Sequence, residues 1–115
     1  MKIIIAGSRD FSDYELLKIT CDKIFANLTN VEIVSGTAKG ADILGEQYAI
    51  EKGYKLTKFP ADWEQYGKKA GYLRNVQMGE YAEGLVAFWD GISKGTKHMI
   101  NIAKEKNLKI RVINI

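Results

Sequence analysis

Five short apolar runs recur along this chain, separated by segments each long enough for a helix. That rhythm constrains the fold more than any other feature. The runs are Lys2–Ala6, Val31–Ser35, Lys55–Phe59, Leu85–Trp89 and Lys109–Ile113. Each is rich in β-branched or aromatic residues and bounded by a turn former or a charge, as strands are. The first and fourth are apolar at nearly every position, which suits parallel strands covered on both faces. The fifth alternates Ile110, Val112 and Ile113 with Lys109, Arg111 and Asn114, which suits an edge strand.

Four helices are predicted between the runs. The first opens on Ser12-Asp13-Tyr14-Glu15, read as a capping box in which Ser12 and Glu15 satisfy free backbone donors reciprocally. Tyr14, Leu17, Cys21, Ile24, Phe25 and Leu28 follow at helical spacing, which makes Cys21 a buried structural thiol rather than a nucleophile. The second helix runs from about Gly40 to Lys52 and stops at Gly53. The third spans about Gly71 to Tyr81 and the fourth about Lys94 to Lys106, with Asn107 as its stop. Between the third strand and the third helix, Pro60 to Ala70 reads as a loop long enough to cover something.

Strand-helix alternation with short connections gives right-handed βαβ units. The prediction is a three-layer α/β sandwich around a five-stranded, mostly parallel sheet of order 3-2-1-4-5, occupying residues 1–115 as one domain. A length of 115 residues supports one core and leaves no room for a separate cap. No apolar run approaches the roughly 20 residues of a membrane span. A single cysteine and a single histidine exclude an internal disulfide and a Cys/His metal site, and suit a reducing cytoplasm. Charge is uneven: residues 94–115 carry Lys94, Lys97, Lys104, Lys106, Lys109 and Arg111 against Glu105 alone. A solvated helix face accounts for this, as does local attraction for phosphate or nucleic acid.

In an open α/β sheet, ligands bind beyond the carboxyl ends of the strands, where strand order reverses. Three strands end there in small-residue turns: Gly7-Ser8-Arg9-Asp10, Ser35-Gly36 through Gly40-Ala41-Asp42, and Asp90-Gly91-Ile92-Ser93-Lys94-Gly95-Thr96. Each leads into a helix N-terminus, whose free N–H groups and partial positive charge suit phosphate. None is a P-loop, because Gly36 to Gly40 and Gly91 to Gly95 enclose three residues rather than four. GxGxxG is absent as well. Kinase-like NTPases and common NAD dehydrogenases are therefore disfavoured.

Several residues carry two readings. Asp42 holds a ribose, or serves the helix dipole or Arg9. Asp90 holds a ribose, or caps the next helix. Trp63 stacks on a base, or pins the long loop. His98, one turn into the fourth helix, reads as surface or packing, and Trp89 as packing.

Taken in order, Gly7-Ser8-Arg9, Ser35-Gly36 through Gly40-Ala41-Asp42, Phe59-Pro60-Ala61-Asp62-Trp63, Ala70-Gly71 through Arg74-Asn75 to Met78, and Asp90-Gly91 through Ser93-Lys94-Gly95-Thr96 resemble the SLOG superfamily of Rossmann-like domains. Within it the chain resembles the small branch related to the YspA and YpsA proteins of bacteria and phages. The superfamily includes the lonely-guy phosphoribohydrolases, which cleave the N-glycosidic bond of nucleoside monophosphates, and the DNA-processing protein that binds single-stranded DNA. Other members are thought to sense or process ligands such as ADP-ribose. Arg74, Gly95 and Thr96 match the hydrolase pattern, but the position of its catalytic Glu, three residues beyond the Thr, is Met99 here. A thioether cannot ionise, so the resemblance retains the binding half of the site and loses the catalytic half.

The expectation is a domain that binds a phosphorylated, nucleotide-derived ligand, with no required cofactor and no metal. Gly7, Ser8, Arg9, Ser35, Gly36, Gly40, Asp42, Trp63, Arg74, Asn75, Asp90, Gly91, Ser93, Gly95 and Thr96 are its candidate binding residues. Two alternatives stand beside it. One is a nucleotide N-glycosidase in which Arg74 works with Asp42 or Asp90 as a substitute carboxylate. The other is single-stranded nucleic-acid binding through the basic C-terminal segment. An open rim on so short a chain, and the dimeric habit of the related hydrolases, predict a homodimer.

Overall fold

All five apolar runs are strands of one parallel sheet in a computed structural model that describes residues 1–115. In chain order the elements are β1 (Lys2–Gly7), α1 (Tyr14–Phe25), β2 (Glu32–Ser35), α2 (Ala41–Lys52), β3 (Lys55–Lys58), α3 (Trp63–Tyr66), α4 (Ala70–Tyr81), β4 (Gly84–Trp89), α5 (Lys94–Glu105) and β5 (Lys109–Asn114). The sheet order is β3-β2-β1-β4-β5, as expected, with every neighbouring pair parallel. The chain walks outward from β1 to β3, then returns to lay β4 on the other side of β1. Strand order therefore reverses between β1 and β4.

Side-chain alternation along β1 divides the core into two layers. Ile3 and Ile5 point to one face, where they join Leu17, Cys21 and Phe25 of α1 and Tyr48 of α2. Ile4 and Ala6 point to the other, where they join Met78 of α4 and Met99, Ile100 and Ala103 of α5. Each of the Ile, Leu, Met and Phe side chains among these, fully buried, contributes about 1.5–3 kcal/mol. Cys21 is buried, and burial raises its thiol to a pKa of about 12, which keeps it inert. No helix is long and apolar enough to cross a membrane.

Two local readings are corrected. The cap of α1 is Asp13, not Ser12: Asp13 Oδ1 accepts from Leu16 N–H at 3.0 Å. With Asp13 as the cap, Glu15 falls one position short of the capping-box site and serves only the helix dipole. The segment Pro60–Ala70 is also not a plain loop. Asp62 Oδ1 accepts from Gln65 N–H at 3.1 Å and nucleates α3, a 3-10 turn follows over Gly67–Lys69, and α4 begins at Ala70. One turn of helix has too few residues to show periodicity, so only the cap could have betrayed it.

Candidate functional site

The three turns converge at the carboxyl edge of β1, β2 and β4, and backbone contacts between them explain several of their small residues. Gly40 adopts φ +79°, and a Cβ there would overlap the carbonyls of Ser8 and Arg9. A Cβ on Gly7 would overlap the carbonyl of Phe88 and meet Ala41 Cβ at 2.8 Å. These glycines let β1, β4 and the start of α2 close up. Ser8 is buried and ties the turns together. Its N–H donates to Phe88 O at 2.9 Å, its carbonyl accepts from Phe11 and Ala41, and its Oγ accepts from Asp90 N–H at 3.2 Å. Ser35 does the same for the second turn, donating to Glu46 Oε2 at 2.7 Å and accepting from Thr37 N–H at 3.0 Å.

Asp90 sits at this edge beside Ser8 but does not line the cleft. Its Oδ1 accepts from the N–H groups of Ile92 and Ser93, both at 2.8 Å. Those donors hold the carboxyl below its ordinary range, and they orient the turn that starts α5. Ser8, Ser35, Gly40, Asp90 and Gly91 thus build the rim without lining its cleft.

The cleft itself has a volume of about 270 Å³. Of the expected residues it gathers Gly7, Arg9, Asp42, Trp63, Arg74, Asn75, Ser93, Gly95 and Thr96. Gly36 lines an adjoining groove with Arg9, Trp63 and Arg74. At one wall stands the N-terminus of α5. Ser93 caps it without a side-chain bond, and the first helical hydrogen bond runs from Lys97 N–H to Ser93 O at 3.1 Å. The N–H groups of Lys94, Gly95 and Thr96 therefore have no partner within the helix. A Cβ on Gly95 would meet nothing within 4 Å, so this glycine is not required by packing.

Opposite lies Arg74 on α4. Its Nη1 donates to the carbonyl of Gly36 and its Nε to Asn75 Oδ1 at 3.0 Å. Gly36 is small because Arg74 and Asp42 crowd it: a Cβ there would meet Arg74 Nη1 and Asp42 Oδ2, each at 2.8 Å. Asp42 is 5% exposed and accepts from Ala38 N–H at 3.2 Å. Burial raises its pKa to about 6, against the opposite pull of Ala38 N–H and Arg74. Arg9 is exposed and forms no ion pair. Trp63 is half-exposed, yet Gly71 leaves room for its ring, with Trp63 Cη2 3.4 Å from where a Cβ would stand.

The amino-terminal part of the chain, residues 1–66, matches the model of the YspA, cpYpsA-related SLOG family. The chain belongs to that family. It is also 32% identical over 116 residues to the Gene 61 protein of Mycobacterium phage D29, covering 95% of this chain and 93% of the phage protein. Its fold is similar to that of DNA processing protein A from Streptococcus pneumoniae, with a TM-score of 0.72 at 20% identity. That likeness covers 96% of this chain and 49% of the other, so this chain spans about half the length of that structure.

In this SLOG domain, Met99 lines the cleft with Met78 and Ala6, so that part of its lining is apolar and carries no carboxylate at position 99. Ala38, Lys68, Gly71 and Tyr72 also line it and were not foreseen. Gly71 had a signal, because Gly71, Arg74, Asn75 and Met78 follow the i, i+3, i+4, i+7 stripe of one helix face. Lys68 had none, because it lies on the 3-10 turn that the sequence did not reveal. His98, read as surface or packing, lies 3.1 Å from Asn75 Nδ2 through its Nδ1 and packs edge-on to Tyr72, with ring centroids 4.6 Å apart.

Proposed function

We propose that this SLOG domain binds a phosphorylated, nucleotide-derived ligand, a nucleoside monophosphate or an ADP-ribose-like molecule, in the cleft between α4 and the N-terminus of α5. One observation carries the reading: the unpartnered N–H groups at the start of α5 open into the same cleft as Arg9 and Arg74. Neutral donors, a helix dipole and two guanidinium groups around one space suit a phosphate, and arginine binds it through two parallel bonds. Trp63 and Tyr72, both about half-exposed, offer flat surfaces for a base. A thermal-shift screen with AMP, ADP-ribose, NAD and oligonucleotides tests it. A ligand above its dissociation constant must stabilise the native state, so no shift with any nucleotide refutes the proposal.

A second reading, hydrolysis of an N-glycosidic bond, is favoured by Asp42. It is a buried carboxyl in this cleft beside Arg74, with a pKa of about 6, where an acid-base group works well near neutral pH. Base release from AMP, abolished by Asp42→Asn, is its test. The nucleic-acid alternative draws less support. Lys104, Lys106 and Lys109 lie at or beyond the far end of α5, about 16 Å along the helix from the cleft. A homodimer covering the exposed Tyr66, Tyr72 and Leu73 beside the cleft remains part of the proposal, and light scattering tests it.

A further inference from the structure

Asn75 is buried between the two walls of the cleft, and its amide is fully engaged. Its Oδ1 accepts from Arg74 Nε at 3.0 Å, and its Nδ2 donates to Gly95 O at 3.3 Å. Those neighbours have fixed polarity: an arginine Nε can only donate and a carbonyl can only accept. They orient the amide the same way. The remaining N–H of Asn75 then faces His98 Nδ1 at 3.1 Å. A ring nitrogen facing a donor must accept, so His98 is held neutral with its proton on Nε2.

We propose that His98 is a proton-operated switch on the anion cleft: neutral, it lets Asn75 hold Arg74 and the first turn of α5 in place, and protonated, it releases them. A protonated ring puts an N–H on Nδ1, against the N–H of Asn75. Flipping the amide cures that clash only by presenting N–H groups to Arg74 Nε and an oxygen to Gly95 O, which breaks both other bonds. The alternative is for the ring to swing away, which leaves Asn75 without one partner. The flip cuts Arg74 from Asn75 and leaves it only the bond to the carbonyl of Gly36, so its guanidinium loosens; the swing leaves the Asn75–Arg74 bond in place and is the outcome the test must exclude.

The surroundings favour the neutral ring. From α4, Tyr72 packs edge-on against it and Arg74 stands beyond Asn75. From α5, Glu105 pulls toward protonation, but burial outweighs it and lowers the pKa of His98. The sheet side of α5 meets the apolar residues Ile4, Ala6, Leu85 and Ala87. Asp42, on the other side of the cleft, titrates nearby with the opposite effect on an anion, because its protonation removes a negative charge.

This regulation presupposes that the cleft takes an anion, so two measurements are needed that fail separately. Both are run in the Asp42→Asn background to silence that titration. His98 is the single histidine of the chain, so its ring nitrogens are unambiguous by NMR. At pH 7.5 the ring should be the Nε2–H tautomer, and the Arg74 Nε–H signal should be protected from exchange. Acidification through the pKa of His98 should abolish that protection, and His98→Asn, whose Oδ1 stands where Nδ1 does and can accept but not titrate, should retain it. An Nδ1–H tautomer, or an Arg74 signal indifferent to His98 protonation, overturns the switch. The second measurement is sulfate affinity, since the charge of sulfate is constant across this range. It should fall about tenfold below the pKa of His98, the worth of one charge-assisted hydrogen bond, and should not fall in His98→Asn. An equal fall in both proteins overturns the switch. No sulfate binding at any pH, in this background and in the wild-type protein alike, refutes the anion site, and the NMR result then decides the relay alone.

Discussion

Asp42→Asn should make the protein more stable at pH 8 and give only about a third of that gain, roughly 1 kcal/mol, at pH 4.5, just above the ordinary carboxyl value of 3.8. The native carboxyl binds its proton more tightly than the unfolded chain does, with a pKa of about 6 against an ordinary 3.8. A raised carboxyl pKa contributes stability that is fully present below the unfolded value and lost as pH rises through the folded one. Above pH 6 the native state therefore carries a buried charge at a cost of about 3 kcal/mol, taking 1.36 kcal/mol per unit. Asparagine has the same shape, can still accept from Ala38 N–H, and never ionises. Urea denaturation of both proteins at pH 4.5 and pH 8 gives the comparison directly. The variant should gain up to about 3 kcal/mol at the higher pH, or roughly 10 °C in Tm for a domain of this size. A variant that loses stability at pH 8 would show that the attraction of Arg74 exceeds the desolvation cost, and would refute the reasoning. The gain is expected to come with a functional loss, as for groups kept ionisable at a binding site.

Other perturbations separate building residues from binding ones. Gly40→Ala should destabilise the fold by more than about 1 kcal/mol in a melt, because its Cβ meets backbone carbonyls at a left-handed φ. Gly95→Ala should do the reverse, gaining about 0.5–1 kcal/mol of helix stability while weakening nucleotide binding in calorimetry. Loss of stability there would show that Gly95 serves packing. Asp13→Ala should cost about 1 kcal/mol and Ser12→Ala almost nothing, since Asp13 supplies the cap of α1. Arg74→Ala should abolish nucleotide-induced stabilisation; an unchanged shift would place the ligand elsewhere.

The fold was legible because its signals are regional. Runs of β-branched residues separated by helical stripes dictate the strands, and the covered first and fourth runs and the alternating Lys109–Ile113 agree with the order 3-2-1-4-5 common among open α/β sheets. The site was legible only to the level of turns. Glycine and serine after a strand mark a tight connection equally well whether the residue lines the cleft, as Gly95 does, or closes backbone against backbone, as Gly40 does. Asp90 shows the same ambiguity: a carboxylate after a strand can bind a ribose or two backbone N–H groups, and here it takes the N–H groups. The link from His98 through Asn75 to Arg74 depends on how α4 packs on α5, and no spacing within either helix encodes that.

The central claim is that the cleft between α4 and α5 holds a phosphorylated nucleotide, and one measurement tests it most directly. The melting temperature is followed at pH 7.5 with AMP or ADP-ribose at concentrations up to about a hundredfold above a micromolar dissociation constant. Binding to the native state alone should then add about 2.7 kcal/mol and raise Tm by several degrees in the wild type, but not in Arg74→Ala. A melting temperature unmoved by either compound, or moved equally in both proteins, contradicts the account.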